Sequence, residues 1–180
     1  MEPNNSIIID GVPVRPPVTL AGRNFLDPEV HHFTGPRPRR GPVTEVVVHE
    51  TVTTSVEATI RALTRRNLGV HFIVGPDGEV TQHGDPVADR LSHAGPHNEY
   101  SVGIEAITPY YPEFLKTGQP WCRLIDAPWA HKRRYVLPTP KQAEAVTQLL
   151  GWLAHPKTPG LNIPRRWISV DAAYKASIAP

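Results

Sequence analysis

Cysteine is almost absent from the sequence: Cys122 is the only one among 180 residues. A single thiol cannot form an intrachain disulfide, and it excludes a zinc site built from several cysteines. Long apolar runs are also missing. The run at residues 7–9 is far shorter than the roughly 18 residues of a membrane-spanning helix, and no basic stretch precedes it as in a signal peptide. We therefore expect a protein made in the cytoplasm, with no membrane span, that would leave the cell only after lysis or by another export route.

The chain also lacks a strong excess of charge of one sign. Its formal net charge is +2, with 19 basic and 17 acidic residues. The basic groups at residues 37–40 and 132–134 are short, which is typical of solvated loop charges. Nucleic acid is therefore not a predicted partner. A length of 180 residues with 39% hydrophobic residues predicts one globular domain.

Proline is abundant, and its positions divide the chain. Prolines recur through residues 1–42, where each removes a backbone donor and excludes a central strand or a long helix. We predict a proline-rich N-terminal arm over residues 1–42, packed on a domain over residues 43–180. A second segment with prolines and aromatic residues, at about 109–138, predicts an irregular inserted loop lying over the domain. Its aromatic side chains either anchor the insertion, which we favour, or line a groove for a sugar or a peptide.

Two stretches early in the domain predict a strand and a helix. The valines at residues 46–48 predict a buried strand that ends at His49. A histidine at a strand end is either a reactive group presented by the scaffold or one that only hydrogen-bonds a nearby carbonyl. Hydroxyl residues at 51–55 then precede apolar positions that predict an amphipathic helix to about Arg66, which Asn67-Leu68-Gly69 closes with a glycine stop.

Later stretches predict a hairpin, a helix and further strands. Residues 70–74 and 79–82 flank a Gly-Pro-Asp-Gly turn and predict a hairpin. Residues 139–155 predict a capped amphipathic helix, and residues 167–170 a last strand. Alternation along residues 101–107 places Ile104 and Glu105 on opposite faces of another strand. Glu105 is then either a solvated strand carboxylate or a pocket residue.

The order of four motifs resembles that of the N-acetylmuramoyl-L-alanine amidase family. This family includes phage lysozyme-type amidases, cytoplasmic muropeptide amidases and peptidoglycan recognition proteins. The motifs are Val-Val-Val-His-Glu-Thr, His-Phe-Ile-Val-Gly-Pro-Asp-Gly-Glu-Val, Ser-His-Ala-Gly-Pro-His-Asn and Ser-Val-Gly-Ile-Glu, within residues 44–107. Four motifs in order are more specific than any one of them. The resemblance implies a single α/β domain with a central mixed β-sheet flanked by helices.

The resemblance also implies a zinc site and a substrate. His49 matches the family's first Zn²⁺ ligand, and Glu105 matches the residue that acts as general base in many members. His93 and Asn98 match the border of the substrate cleft and are candidate contacts to a muramyl-peptide, unless they only brace their loop. His71 matches a core histidine with a structural role. The implied partner is peptidoglycan or its muropeptide fragments.

The last residues depart from the family pattern. Relatives place a second zinc-binding histidine just after the last strand, then an aspartate or cysteine beside a lysine that stabilises the transition state. Here Ser169 or a neighbour falls at the histidine position and Ser177 at the third ligand, while Lys175 falls near the lysine and is a candidate catalytic residue. Asp171 can coordinate a metal but cannot replace both groups.

Three explanations for this departure stay open. The ligand segment lies beyond residue 180, or the site recruits another histidine such as His155 or His131, or the metal has been lost. The resemblance therefore implies a zinc-dependent amidase, of endolysin or other cell-wall-lytic type, that hydrolyses the bond between the lactyl group of muramic acid and L-alanine. The alternative is a catalytically impaired peptidoglycan-binding or inhibitory module with the same fold.

Overall fold

The computed structural model describes residues 6–16, 22–24, 33, 37–109, 111–115 and 123–166. These residues form two α-helices, α1 (Val56–Arg65) and α2 (Pro140–Leu153). They also form eleven strands: β1 (Ile7–Ile9), β2 (Val12–Val14), β3 (Gly22–Asn24), β4 (Arg37–Pro38), β5 (Glu45–Thr51), β6 (Phe72–Val74), β7 (Val80–Gln82), β8 (Asp89–Arg90), β9 (Ser101–Ile107), β10 (Arg123–Asp126) and β11 (Arg134–Leu137).

A mixed five-stranded sheet forms the centre of the fold, in the order β3-β7-β6-β9-β5. The hairpin partners β6 and β7 are antiparallel, as predicted, and every other neighbouring pair is parallel. One face packs in an apolar cluster with α2, and the other packs in a second cluster with α1. This confirms the predicted α/β class with a central mixed sheet flanked by helices.

Helix α1 begins where the sequence predicts but ends for a different reason. The Ser55 side chain caps it by accepting a hydrogen bond from the Ala58 N–H at 3.2 Å. The residue with a left-handed backbone after the helix is Asn67, with φ of 54°, so the prediction of a stop at Gly69 is wrong. Gly69 instead meets Phe33, whose ring carbon Cγ would lie 2.7 Å from a Cβ at position 69.

Helix α2 is capped as predicted and ties two strands together. The Thr139 hydroxyl accepts from the Gln142 N–H, and Pro140 occupies the first turn. Gln142 is buried, and its side-chain amide donates to the carbonyl oxygens of Val74 and Ile107 at 2.9 and 3.0 Å. The helix therefore anchors the ends of β6 and β9 by hydrogen bonds as well as by apolar packing.

The first described strands are held against the domain by two side chains. The buried Gln82 side chain exchanges two hydrogen bonds with the backbone of Ile8, at 2.9 and 2.7 Å. The Asp85 carboxylate accepts from the backbone N–H groups of Asp10 and Gly11, which form the β1–β2 turn. The boundary between residues 42 and 43 stays a prediction.

Two expectations about regular structure are wrong. The segment at about 109–138 is not wholly irregular, because its described part contains the antiparallel pair β10 and β11. Short alternating segments of β-forming residues on either side of the loop at 127–133 explain this pair. The valine strand is not buried, because β5 lies at one edge of the five described strands and Val48 is 42% exposed.

The predicted last strand at residues 167–170 lies outside the described residues, as do Asp171, Lys175 and Ser177. Neither described helix has the length and apolar character that a bilayer-spanning segment requires.

Candidate functional site

The predicted ligand His49 and the predicted base Glu105 lie side by side on neighbouring strands. In the parallel pairing of β5 and β9, His49 is the register partner of Glu105. Register partners in a sheet point to the same face, here the one that carries α1, because Ile104 packs on the opposite side with α2. His49 is not at the end of its strand as predicted, since pairing continues through Thr51 and Ile107.

Glu105 is a buried carboxylate whose charge is poorly compensated. Glu105 is 8% exposed, and its Oε2 atom has no hydrogen-bond partner among the described residues. Burial raises the pKa of Glu105 to about 7, while the positive charge of Arg66 acts in the opposite direction. A carboxylate with such a pKa can accept and return a proton near neutral pH.

His93 lies against His49. Nε2 of His49 and Nδ1 of His93 are 3.2 Å apart, and the rings meet edge to face with centroids 5.4 Å apart. Nε2 of His93 lies 3.2 Å from the Ser101 hydroxyl oxygen. The glycine at position 103 makes room for this ring, since a Cβ there would lie 2.8 Å from Cγ of His93.

Both histidines are uncharged in this setting. Burial lowers the pKa of His49, and it lowers the pKa of His93 to about 3, with a protonated His49 and the positive charge of Arg39 acting in the same direction. A neutral imidazole has a lone pair on one nitrogen, which is the form that binds a metal. The pair therefore presents nitrogen donors without competing protonation at neutral pH.

Asn98 and His71 support the site from outside. The Asn98 side-chain oxygen accepts from the backbone N–H groups of His93 and Ala94, at 2.9 and 2.7 Å, so it braces the loop. Nδ1 of the fully buried His71 accepts from the Gly103 N–H at 2.9 Å. His71 thus holds β9 beneath His93, as its predicted structural role requires. Substrate contact by Asn98 or His93 stays a prediction.

Arg39 is a neighbour of the candidate site that the sequence does not reveal. It belongs to the basic group at residues 37–40, but the prediction that all of these charges are solvated is wrong for Arg39. Its guanidinium donates to the carbonyl oxygens of Asn98, Glu99 and Ser101, at 3.0, 2.9 and 2.6 Å. Burial lowers its pKa to about 10, against the raising effect of acidic neighbours led by Glu99. Arg39 thereby fixes the turn that joins the His93 loop to β9.

The described residues fit a zinc ion in part. His49 and His93 bring two imidazole nitrogens together, and zinc binds such nitrogens well. Within the described ranges, no group of three or more His, Cys, Asp or Glu side chains is arranged to hold a metal. His155 follows α2 on the opposite face of the sheet, so it does not join His49. For His131 only the backbone is described.

Known proteins share both sequence features and the fold with this chain. The family model for N-acetylmuramoyl-L-alanine amidase matches residues 39–170. No curated protein sequence matches the chain. The ectodomain complex of peptidoglycan recognition proteins LCa and LCx, solved with bound tracheal cytotoxin, is similar at 17% identity and a TM-score of 0.51, covering 80% of this chain and 82% of that one.

Two further solved structures match less closely in shape. Drosophila peptidoglycan recognition protein SA has 17% identity and a TM-score of 0.48, over 79% of this chain and 78% of that one. The endolysin amidase LysCS from Clostridium intestinale has 20% identity and a TM-score of 0.44, over 68% and 78%. The match of the family model to most of the sequence decides the assignment: the chain belongs to the N-acetylmuramoyl-L-alanine amidase family.

Proposed function

We propose that the protein is a zinc-dependent amidase that hydrolyses the bond between the lactyl group of muramic acid and L-alanine in peptidoglycan. One observation carries the proposal: Glu105, whose buried Oε2 atom has no hydrogen-bond partner among the described residues, is the register partner of His49 on the same face of the sheet. A structural carboxylate at 8% exposure normally has hydrogen-bond partners for both oxygens. An oxygen without one fits a group kept free for a substrate or a water molecule.

The chain's own residues divide the reaction between them. Zinc held by His49 would supply a Lewis acid for the scissile carbonyl. Glu105 takes a proton from the attacking water as the oxygen adds to the carbonyl carbon. It returns this proton to the nitrogen of L-alanine as the carbon–nitrogen bond breaks, which leaves a lactyl carboxylate and a free amine. Lys175 is our candidate for stabilising the charge that develops on the carbonyl oxygen.

Family membership and one neighbour's ligand support this substrate class. The matching family is described as N-acetylmuramoyl-L-alanine amidase. The LCa and LCx complex, which shares the fold, binds tracheal cytotoxin. Peptidoglycan or its muropeptide fragments are therefore the substrates we propose for this chain.

Glu105→Gln tests the proposal, because it keeps the size of the side chain and removes its proton chemistry. We expect the purified wild-type chain with zinc to release stem peptides with a new L-alanine amino terminus from muropeptides. The variant should lose about 10²–10⁴-fold in rate, which is the usual contribution of a general base. Circular dichroism and zinc content serve as controls and should match the wild type. A zinc-loaded wild-type chain that releases no stem peptide contradicts the proposal.

A second function is favoured by a different observation. The described residues lack a three-ligand metal cluster, whereas catalytic zinc sites usually have three protein ligands. A peptidoglycan-binding or inhibitory module needs no such cluster. Such a module would sediment with purified sacculi in the presence of a chelator and release no stem peptide with zinc. The amidase reading requires release that the chelator abolishes and that added zinc restores.

A further inference from the structure

The spacing of two nitrogens on the α1 face suits a shared metal ion. Two ligands of a tetrahedral zinc at bond lengths of 2.0–2.1 Å stand about 3.4 Å apart. Nε2 of His49 and Nδ1 of His93 are 3.2 Å apart. A small reorientation of the two rings would therefore bring both nitrogens within bonding distance of one ion.

The hydrogen bonds around His93 leave its Nδ1 atom without a hydrogen. This nitrogen therefore has a lone pair that can bind a metal. The Ser101 hydroxyl donates its hydrogen to the His97 carbonyl oxygen at 2.6 Å. Its oxygen can then only accept from Nε2 of His93, so that nitrogen carries the hydrogen. Nδ1 of the neutral ring is consequently bare and faces His49. An outer hydrogen bond that fixes the tautomer in this way is typical of metal-binding histidines.

Two neighbouring residues fix the position of the His93 ring. Its face lies on the backbone of Gly103, where any Cβ would collide with three ring atoms. Its own backbone N–H is held by the side-chain oxygen of Asn98. Two independent contacts therefore hold the ring where its Nδ1 meets His49.

We propose that His93 is a zinc ligand, through Nδ1, together with Nε2 of His49. This assignment rests on the proposed function and deepens it. It supplies a second nitrogen in a chain that has no histidine after His155. When the ion binds, His49 carries its hydrogen on Nδ1 instead of Nε2, and His93 keeps the tautomer it already has. His93 is then unavailable as the substrate contact that the family pattern implies.

Zinc titration of four proteins tests the assignment: the wild type, His49→Ala, His93→Ala and His155→Ala. We expect about one zinc per wild-type chain, measured by calorimetry and by metal analysis after dialysis. Both His49→Ala and His93→Ala should weaken binding by more than the 10–100-fold that loss of an outer partner typically costs. His155→Ala, on the other face of the sheet, should leave affinity unchanged. Cobalt substitution should show altered visible absorption in His93→Ala.

Ser101→Ala offers a second test that does not remove a ligand. It deprives Nε2 of His93 of its acceptor and should weaken zinc binding by about 10-fold or more. Circular dichroism and unfolding midpoints check that each variant is folded. If His93→Ala is not folded, His93→Gln and Ser101→Ala decide the matter.

The outcomes separate this inference from the proposed function. The inference is overturned if folded His93→Ala or His93→Gln binds zinc within threefold of the wild-type affinity. Zinc-dependent cleavage by the wild type would still support the proposed amidase activity in that case. Zinc binding that depends on His93, in a wild-type chain that cleaves nothing, supports the inference and overturns the amidase. A wild-type chain that binds no zinc at any tested concentration overturns both.

Discussion

The two faces of strand β9 serve different purposes. Val102, Ile104 and their neighbours on one face are fully buried and pack with α2 in the larger apolar cluster. The other face carries Gly103 beneath the His93 ring and Glu105, whose Oε2 atom has no hydrogen-bond partner in the part of the chain that the structure describes. One face therefore stabilises the fold by removing apolar surface from water, whereas the other holds a buried carboxylate that costs stability. A period of two residues keeps the two purposes apart on a single strand.

The largest effect on stability should come from the apolar face. Ile104→Ala should lower the free energy of unfolding by about 2–5 kcal/mol, because the side chain is fully buried and its removal leaves a cavity. Ile104→Val is the graded control, with an expected loss of about 0.5–1.5 kcal/mol. Urea denaturation measures both. If the zinc affinity of folded Ile104→Ala falls as much as its stability, the two faces are not separate.

The polar face of β9, which carries Glu105, should instead lower the stability of the metal-free protein at neutral pH. Glu105 has a folded pKa of about 7, above its value in the unfolded chain. Its contribution to stability is therefore complete below pH 4.5, near the unfolded value, and is lost as pH rises through 7. Glu105→Gln does not titrate. Over this pH window its free energy of unfolding should therefore rise relative to that of the wild type by at most about 3 kcal/mol.

Urea denaturation at several pH values, with a chelator present, gives this difference directly. A mutant whose advantage over the wild type is the same at pH 4.5 and pH 8 would show that the carboxylate is not destabilising. Glu144→Gln, on the exposed surface of α2, is the matched control for the substitution itself.

A smaller loss should follow from removing the guanidinium that holds the polar face in place. Arg39→Met leaves the carbonyl oxygens of Asn98, Glu99 and Ser101 without this donor, and should cost about 1–3 kcal/mol. Arg40→Met, at an exposed position, should change stability by less than about 0.5 kcal/mol. Hydrogen exchange should show faster opening at residues 95–101 in the first variant alone. Equal exchange in both variants would show that Arg39 does not hold this turn in place.

Local pattern predicted the strands and helices that depend on local chemistry. The Ser55 and Thr139 caps, the Gly-Pro-Asp-Gly hairpin and the alternation that separates Ile104 from Glu105 can all be recognised within a few residues of sequence. The edge position of β5, which exposes Val48, and the continuation of β5 past His49 cannot be recognised in this way. Both depend on which strands lie alongside β5. Both predictions about β5 therefore went wrong for the same physical reason.

The site shows the same limit. The family motifs point to His49 and Glu105, which the sheet register brings together. The contact between His49 and His93 depends on a loop folding back over Gly103, and no spacing in the sequence encodes it. Arg39 carries no local signal at all, since it stands among prolines and arginines whose other charged side chains face solvent. Only its three carbonyl partners, far along the chain, distinguish it.

The parallel pairing of β5 with β9 also affects the order of folding. Helix α1 and the β6–β7 hairpin lie between these strands in sequence, so their pairing closes a long loop, whereas the helix and hairpin need only local contacts. The register that places His49 beside Glu105 is consequently expected to form late. A chain that has folded only its local elements contains the residues of the α1 face but not the contacts between them, so the candidate site assembles only when the domain is complete.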